Sequence, residues 1–430
     1  MNSNCIKLRR VGQLSILCGI IFALGVAVRV SLVSFAPAEL ELVEPVRIAM
    51  SLVHTGAYAD AYGNHAETAH CAPLYPLAIA VLIRLFGMGS ATAVALRIAA
   101  CGAAALAFAL LPAVAARCQI GLRAGVVAGT SGALLPVNFW GQTRGFFDAP
   151  FVALAVVILC YLWARPLVHG HLEVRGAALL GVVGGLSCLL NPSVIPVLVA
   201  FFIAAVWRLH IRAIPKLLLA GALILCTLLP WAIRNERRFG RTIWTRSDFG
   251  LELQISNNDY ATADEELNVR SAWWAQVHPF SGSAERARVT ALGEPQYNDS
   301  KREQALTWMA THPAAFGRLS LDRIRLFWFP SMRYPLQTWI ESCLTILALY
   351  GFVLLLKCQL PCAWLFTAVL STYPLVFTVI QVSPRYRFPI EPVLWLLASF
   401  AVVQISWFQR FKHVGFLQAA IKYNGSPFTR

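Results

Sequence analysis

Residues 11–35 read VGQLSILCGIIFALGVAVRVSLVSF, an apolar run long enough to cross a bilayer as a helix. A basic start, Lys7, Arg9 and Arg10, precedes it. A polar stretch, 36–72, follows, with Glu39, Glu41, Glu44, Asp60, Glu67 and three histidines. A cleaved signal peptide is the rival reading, because Ala36-Pro-Ala38 resembles a cleavage site. The length of the run and the apolar sequence beyond it favour an uncleaved first span with its N-terminus in the cytoplasm. Residues 36–72 are then an outer loop.

The pattern continues outward from there. Apolar segments stand at about 73–86, 91–116, 124–138, 149–164, 176–190, 192–207 and 216–231, and again at 336–356, 361–380 and 392–408. With the first run this predicts an all-α polytopic membrane protein of about 10–11 transmembrane helices. Composition agrees. Of 430 residues, 58% are hydrophobic and 13% charged, with a mean hydropathy of +0.62. A soluble domain keeps roughly 25% charged residues, so part of the solvent here must be lipid. The net charge of +15 does not point to nucleic acid. Much of it lies in short stretches between apolar runs, such as Arg208, Arg212 and Lys216, and in the tail at Arg410 and Lys412. Cytoplasmic loops carry charge in that way. Most of the 11 cysteines sit inside apolar runs, where a thiol acts as a small hydrophobe.

The basic loops 165–175 and 208–216 read as cytoplasmic. Residues 176–207 then form a hairpin turning outside at Asn191-Pro192. The natural division is an N-terminal membrane module, 1–231, with its outer loop 36–72; an extracytoplasmic segment, 232–335; and C-terminal helices with a basic cytoplasmic tail, 336–430. One count does not close. Three apolar segments separate the outer loop from Asp148, which is also placed outside, so one of 73–86, 91–116 and 124–138 fails to cross. Segment 232–335 is too rich in tryptophan and turn clusters for a linker. Its stretch 300–328 reads as amphipathic, either at the membrane interface or packed in a small outer domain.

Chemistry on a lipid-linked substrate needs a carboxylate, cations for a phosphate, and a groove for an acyl chain. Glu44 stands before Pro45, a residue suited to the first turn of a helix. It is a candidate base or a helix cap. Asp148, at the head of an apolar run after Trp140-Gly-Gln-Thr-Arg-Gly145, is a second acid or an N-cap. Arg385 and Arg387 lie at the outer start of the last span, against the usual charge bias, and suit either a phosphate or anionic lipid. Arg234 holds a similar edge position. No HExxH or HxH pattern and no nucleotide-binding glycine loop occurs. The spans read as nearly free of acids, with Arg97 as the main charged exception, which disfavours a transporter.

Four stretches resemble bacterial GT-C membrane glycosyltransferases of the family 39 group. That group includes protein O-mannosyltransferases and the lipid A aminoarabinose transferase. The stretches are Glu44-Pro-Val-Arg-Ile-Ala-Met-Ser-Leu-Val-His-Thr-Gly56 with Ala57-Tyr58; Pro73-Leu-Tyr-Pro76 through Leu85-Phe-Gly87; Pro230-Trp-Ala-Ile-Arg-Asn235 with Phe239-Gly240, Phe249-Gly250 and Ser256-Asn-Asn258; and Arg385-Tyr-Arg-Phe-Pro389.

The resemblance implies inverting transfer of a sugar from a polyprenyl-phosphate donor to a glycan, lipid or protein acceptor at the outer face of the bacterial inner membrane. It makes Glu44 the general base, where better-studied members usually carry Asp. It matches Asp148 to a second acid, and Arg385 and Arg387, with Arg234, to the donor phosphate. Glu41, His70, Asn257 and Asn258 are further loop residues expected near the acceptor. No cofactor is certain, and a divalent metal is left open. A lipid-linked oligosaccharide flippase and a polysaccharide polymerase are the alternatives.

Overall fold

The computed structural model describes residues 3–33 (backbone alone for 3–11), 39–138, 142–143 and 147–405. The cleavage-like Ala36-Pro-Ala38, Trp140-Gly141 with Arg144-Gly145, and the basic tail with Arg410 and Lys412 lie outside the described residues. The chain is all-helical. Helices α1 (Ser3–Val33), α2 (Glu44–Thr55), α3 (Leu74–Phe86), α4 (Ser90–Ala109), α5 (Leu111–Arg117), α6 (Leu122–Leu134), α7 (Ala149–His169), α8 (Val174–Leu190), α9 (Ile195–Leu209) and α10 (Ile214–Phe239) form the N-terminal part. Then come six helices of the long loop: α11 (Phe249–Ser256), α12 (Glu265–Val269), α13 (Trp274–Val277), α14 (Ser283–Leu292), α15 (Glu294–Thr311) and α16 (Pro313–Trp328). Helices α17 (Pro335–Lys357), α18 (Ala363–Thr372) and α19 (Pro384–Ile405) complete the membrane part. Among the described residues, seven helices are long and apolar enough to cross a bilayer, and three shorter apolar ones accompany them. This is a multi-pass membrane protein.

The count left open in the sequence closes on α3. Its 13 residues rise only about 20 Å against a hydrocarbon core of roughly 30 Å. Both its ends stay with the first loop. Tyr75 lines the same cavity as Glu44, and Met88, just past the other end, puts its Sδ 3.0 Å from His54 Nε2 of α2. So α3 packs along α2 and does not cross. Helices α4 and α5 run to the far end, where the Arg117 carbonyl lies 3.0 Å from His169 Nε2. Helix α6 and the residues after it return, and Asn138 Nδ2 donates to the Pro384 carbonyl at 2.7 Å.

Small residues allow the closest helix crossings. In α8, Gly181 and Gly185, four apart, meet Ala220, Leu223 and Thr227 of α10, a small-xxx-small contact of the kind membrane helices use. Gly351 of α17 is tighter still. A Cβ there would stand 2.0 Å from the Leu397 carbonyl of α19. Gly351→Ala is therefore expected to lower thermal stability by about 1–3 kcal/mol. Gly221→Ala, with nothing within 4 Å, should leave the melting curve unchanged. Equal melting of both variants would mean that this crossing is not close-packed.

The spans are not free of acids, contrary to the sequence reading. Glu341 of α17 and Glu391 of α19 are fully buried, beside the equally buried Arg29 of α1 and Arg387 of α19. Arg387 Nη1 lies 3.2 Å from Glu341 Oε2. Arg29 Nε donates to Gln142 Oε1 at 2.9 Å, and its Nη atoms donate to the carbonyls of Gly132 and Ala133 at 2.9 and 3.2 Å. Averaged hydropathy hid Arg29 and Glu341 because each is a single charge inside an apolar run, and Glu391 because it stands at the margin of one. The amphipathic stretch 300–328 also differs from its reading. His312-Pro313 divides it into α15 and α16, and the residues buried on α16 are Arg323 and Phe327, while Leu321 and Ile324 are exposed.

Candidate active site

A cavity of about 660 Å³ opens where the first loop, the long loop and the ends of α7, α8, α9 and α19 meet. Its polar wall carries Glu44, Asp148, Asp248, Glu252, Glu265, Arg246 and Arg385. Its apolar side carries Val152, Leu190, Val376, Phe377 and Ile380. Trp274, His278 and Phe280 form an aromatic rim from the long loop.

Glu44 is the first residue of α2, with Pro45 in the first turn and Val43 in an extended conformation before it. Its carboxyl accepts from its own backbone amide at the start of the helix. Burial pushes its carboxyl above the ordinary value, and Arg385 partly opposes that. Two clasps fix this loop. Arg234 donates to the carbonyls of Tyr58 and Thr68 at 2.8 and 2.7 Å and pairs with Glu67. Glu294 accepts from the Ala69 amide at 2.7 Å and from the Thr68 hydroxyl. It also accepts from Ser247 Oγ at 2.5 Å. That second clasp sets segment 245–248, with Arg246 and Asp248, against the first loop.

Asp148 precedes α7 and makes no side-chain cap bond to it. Its Oδ2 instead accepts from Asn191 Nδ2 at 2.7 Å, across from the end of α8. Burial raises its carboxyl, and the Asn191 hydrogen bond works against that rise. Arg385 is aimed by the long loop. Val382 and Ala263 to Glu265 exchange backbone hydrogen bonds, Val382 N to Ala263 O at 2.8 Å and Glu265 N to Val382 O at 3.0 Å. This brings Glu265 Oε1 to 2.5 Å from Arg385 Nη2. The guanidinium lies over Phe147, 4.0 Å from the ring centroid, and its Nε is buried without a hydrogen-bond partner.

The structure thus brings Glu44, Asp148, Arg385 and His70 to one cavity. It places the other expected residues elsewhere. Arg387, two residues after Arg385, turns inward to Glu341 and donates to Thr345 Oγ1 at 2.9 Å. Arg234 clasps the first loop as described. Asn257 Nδ2 bonds the carbonyls of Leu253 and Val379 at 2.7 and 2.8 Å, and its Oδ1 accepts from Arg323. Asn258 caps the end of α11 through the Gln254 carbonyl at 3.0 Å. Glu41 is exposed outside the cavity lining. These guanidinium and amide groups have protein partners, which is why they do not face the cavity.

Sequence reasoning passed over Arg246, Asp248, Glu252 and Glu265. A signal was present for two of them. Asp248 and Glu252 are four apart and share one helix face, in a turn already marked by Phe249-Gly250. Arg246 Nε pairs with Asp248 Oδ1 at 2.9 Å. Burial pushes Glu252 up to about 8, with Asp248 adding to the effect. His70 and His278 are buried and held down at about 3. His70 Nδ1 lies 2.8 Å from the Tyr62 hydroxyl, and His278 stacks on Trp274 at 4.7 Å.

A divalent metal does not fit these groups as arranged. Among the described residues, no three His, Cys, Asp or Glu side chains stand close enough to share an ion. Asp248 and Glu265 already face guanidinium groups, and Asp148 an amide.

No family model and no curated protein matches the chain. Its fold is like that of a solved structure, the oligosaccharyltransferase of Archaeoglobus fulgidus in the apo form. The TM-score is 0.56 at 13% sequence identity, over 97% of this chain and 52% of that one. The chain spans about half the length of that enzyme. The likeness is one of fold, an all-helical membrane architecture of the GT-C type, in agreement with the expected fold class.

Proposed function

We propose that this protein transfers a sugar from a polyprenyl-phosphate donor to an acceptor hydroxyl, with inversion at the sugar carbon. The observation that carries the reading is the convergence of Glu44, Asp148 and Arg385, from three distant parts of the chain, on one cavity with an apolar side. Glu44 takes the hydroxyl proton as the oxygen attacks the anomeric carbon. The bond to phosphate breaks, and its electron pair goes to the phosphate oxygen. A raised carboxyl pKa makes Glu44 a stronger base while it remains ionised. Arg385 stabilises the charge that develops on the phosphate. Asp148, held by Asn191, orients the acceptor. The family 39 resemblance of the four sequence stretches supports this donor class.

The proposed orientation follows the short loops. The ends opposite the cavity carry Arg165, Arg175, Arg208, Arg212 and Lys216. Lys216 Nζ donates to the Leu172 carbonyl at 2.7 Å, joining two of these loops. The positive-inside bias then puts both termini in the cytoplasm and the cavity on the outer face. Acceptor choice falls to segment 232–335, which supplies the aromatic rim.

A photoactivatable polyprenyl phosphate tests the donor site. Crosslinks are expected in the cavity-lining stretches 190–196 and 373–380. Labelling confined to lipid-facing positions of α1 would contradict the reading. Asp148→Asn is expected to slow transfer about 10²-fold, as misplacement of a reactant does, with polyprenyl-phosphate binding unchanged. Loss of that binding instead would move Asp148 to the donor side.

A further inference from the structure

Glu252 lies on the cavity wall in the first turn of α11. Its Oε2 is buried and has no hydrogen-bond partner in the protein. Two ion pairs flank it: Arg246 with Asp248 on the segment before α11, and Arg385 of α19 with Glu265 of α12. Both cavity arginines are therefore already matched by a carboxylate. Glu44 and Asp148 line the same space with no guanidinium bound to either. An ionised Glu252 would add negative charge where an anionic phosphate must enter. A buried oxygen without a partner is costly, so something must satisfy it when the site is filled.

We propose that Glu252 is a neutral carboxylic acid whose O–H donates a hydrogen bond to a phosphate oxygen of the lipid-linked donor. The inference rests on the donor reading given above. It gives the cavity a phosphate-facing donor beside Arg385 without a further cation. An acid kept neutral by its surroundings for this purpose is a known device at sites where negative charge develops. Burial and the neighbouring Asp248 hold Glu252 at about 8, so the proton is present near neutrality and lost as pH rises through that value. His70 and His278, held at about 3, stay neutral through this range and add no charge change. No proton need leave Glu252 during the reaction. The hydrogen bond strengthens as the departing phosphate gains its second negative charge.

The test is binding of a polyprenyl phosphate, without sugar, to the full-length protein in nanodiscs at about pH 7 and about pH 9. Wild type is expected to lose roughly tenfold affinity over that rise, the size of one hydrogen bond to a charged group. Glu252→Gln keeps an N–H donor and should bind nearly as wild type at about pH 7, with most of the loss at about pH 9 removed. That variant also controls for ionisation of the phosphate itself. Glu252→Ala should bind roughly tenfold more weakly at both values, with a melting temperature that verifies its fold. The proposal is overturned if Glu252→Ala binds like wild type at about pH 7. It is equally overturned if Glu252→Gln shows the wild-type loss between the two pH values. Absence of any binding by wild type would overturn the donor reading and this inference together, whereas the other two outcomes sink Glu252 alone.

Discussion

Glu44→Gln is expected to lower sugar transfer in membranes by about 10²–10⁴-fold, the usual worth of a positioned general base. The substitution keeps the size of the side chain and removes its basicity. It leaves α2 intact, because glutamine keeps an oxygen for the Glu44 backbone amide and the loop is held by Arg234 and Glu294. Expression and melting therefore stay near wild type. Glu41→Gln is the internal control, since Glu41 is exposed and outside the cavity lining. Its transfer rate is expected to equal that of wild type. Initial rates with a saturating labelled donor check both. Normal transfer by Glu44→Gln would leave Glu44 as a helix-start residue only, and the base would have to be sought at Asp148.

Arg385→Ala and Arg387→Ala are expected to fail in opposite ways. Arg387 is 1% exposed and faces Glu341, also 1% exposed. Removing it leaves a buried carboxylate unpaired, at a cost of about 3–5 kcal/mol. The variant should express poorly and melt early, with any folded fraction still binding donor. Arg385 borders an open cavity, and its partner Glu265 lines the same cavity with a partly exposed side chain. Arg385→Ala should fold, and lose transfer by about 10²–10³-fold, the range seen when one donor to a developing anion is deleted. Arg385→Lys keeps the charge but not the fork-shaped donor and should fall between. Melting temperature and rate, measured on the same preparations, separate the two positions. A stable Arg387→Ala that fails to bind polyprenyl phosphate would transfer the phosphate role to Arg387.

The contrast between these two arginines shows where sequence reading stops. Arg385 and Arg387 stand two apart at the mouth of the last span, with the same charge and the same flanking aromatics. Which of them faces a cavity depends on how α19 meets α17 and the segment around Glu265, and local pattern does not contain that. The membrane architecture was legible because apolar runs and basic loops are local features. The crossing count was not, because α3 is as apolar as a span, and only the structure shows that its helix is short and that both its ends lie with the first loop. Glu44 and Asp148 were singled out as acids at the start of helices, where an acid is also a good cap. In the structure Asp148 stands at the N-cap of α7 without a side-chain cap bond, Glu44 begins α2, and both line the cavity. Glu252 left a weaker trace. One acid within a short apolar turn reads as an ordinary helix residue until a partnerless buried oxygen is seen. Arg29, Glu341 and Glu391 escaped notice for a related reason. A single charge barely lowers the hydropathy of a span, yet in the fold these groups gather into one buried cluster. Their presence also removes the argument against transport that rested on acid-free spans.

The choice between enzyme and transporter therefore falls to chemistry. Purified protein in nanodiscs, where no gradient can exist, is given a labelled polyprenyl-phosphate sugar and an acceptor extract from cell envelopes, and release of free polyprenyl phosphate is followed. Wild type is expected to release it in an acceptor-dependent manner, and Glu44→Gln to release none above background. No acceptor-dependent release by wild type, in nanodiscs that still bind polyprenyl phosphate, would contradict the glycosyltransferase account.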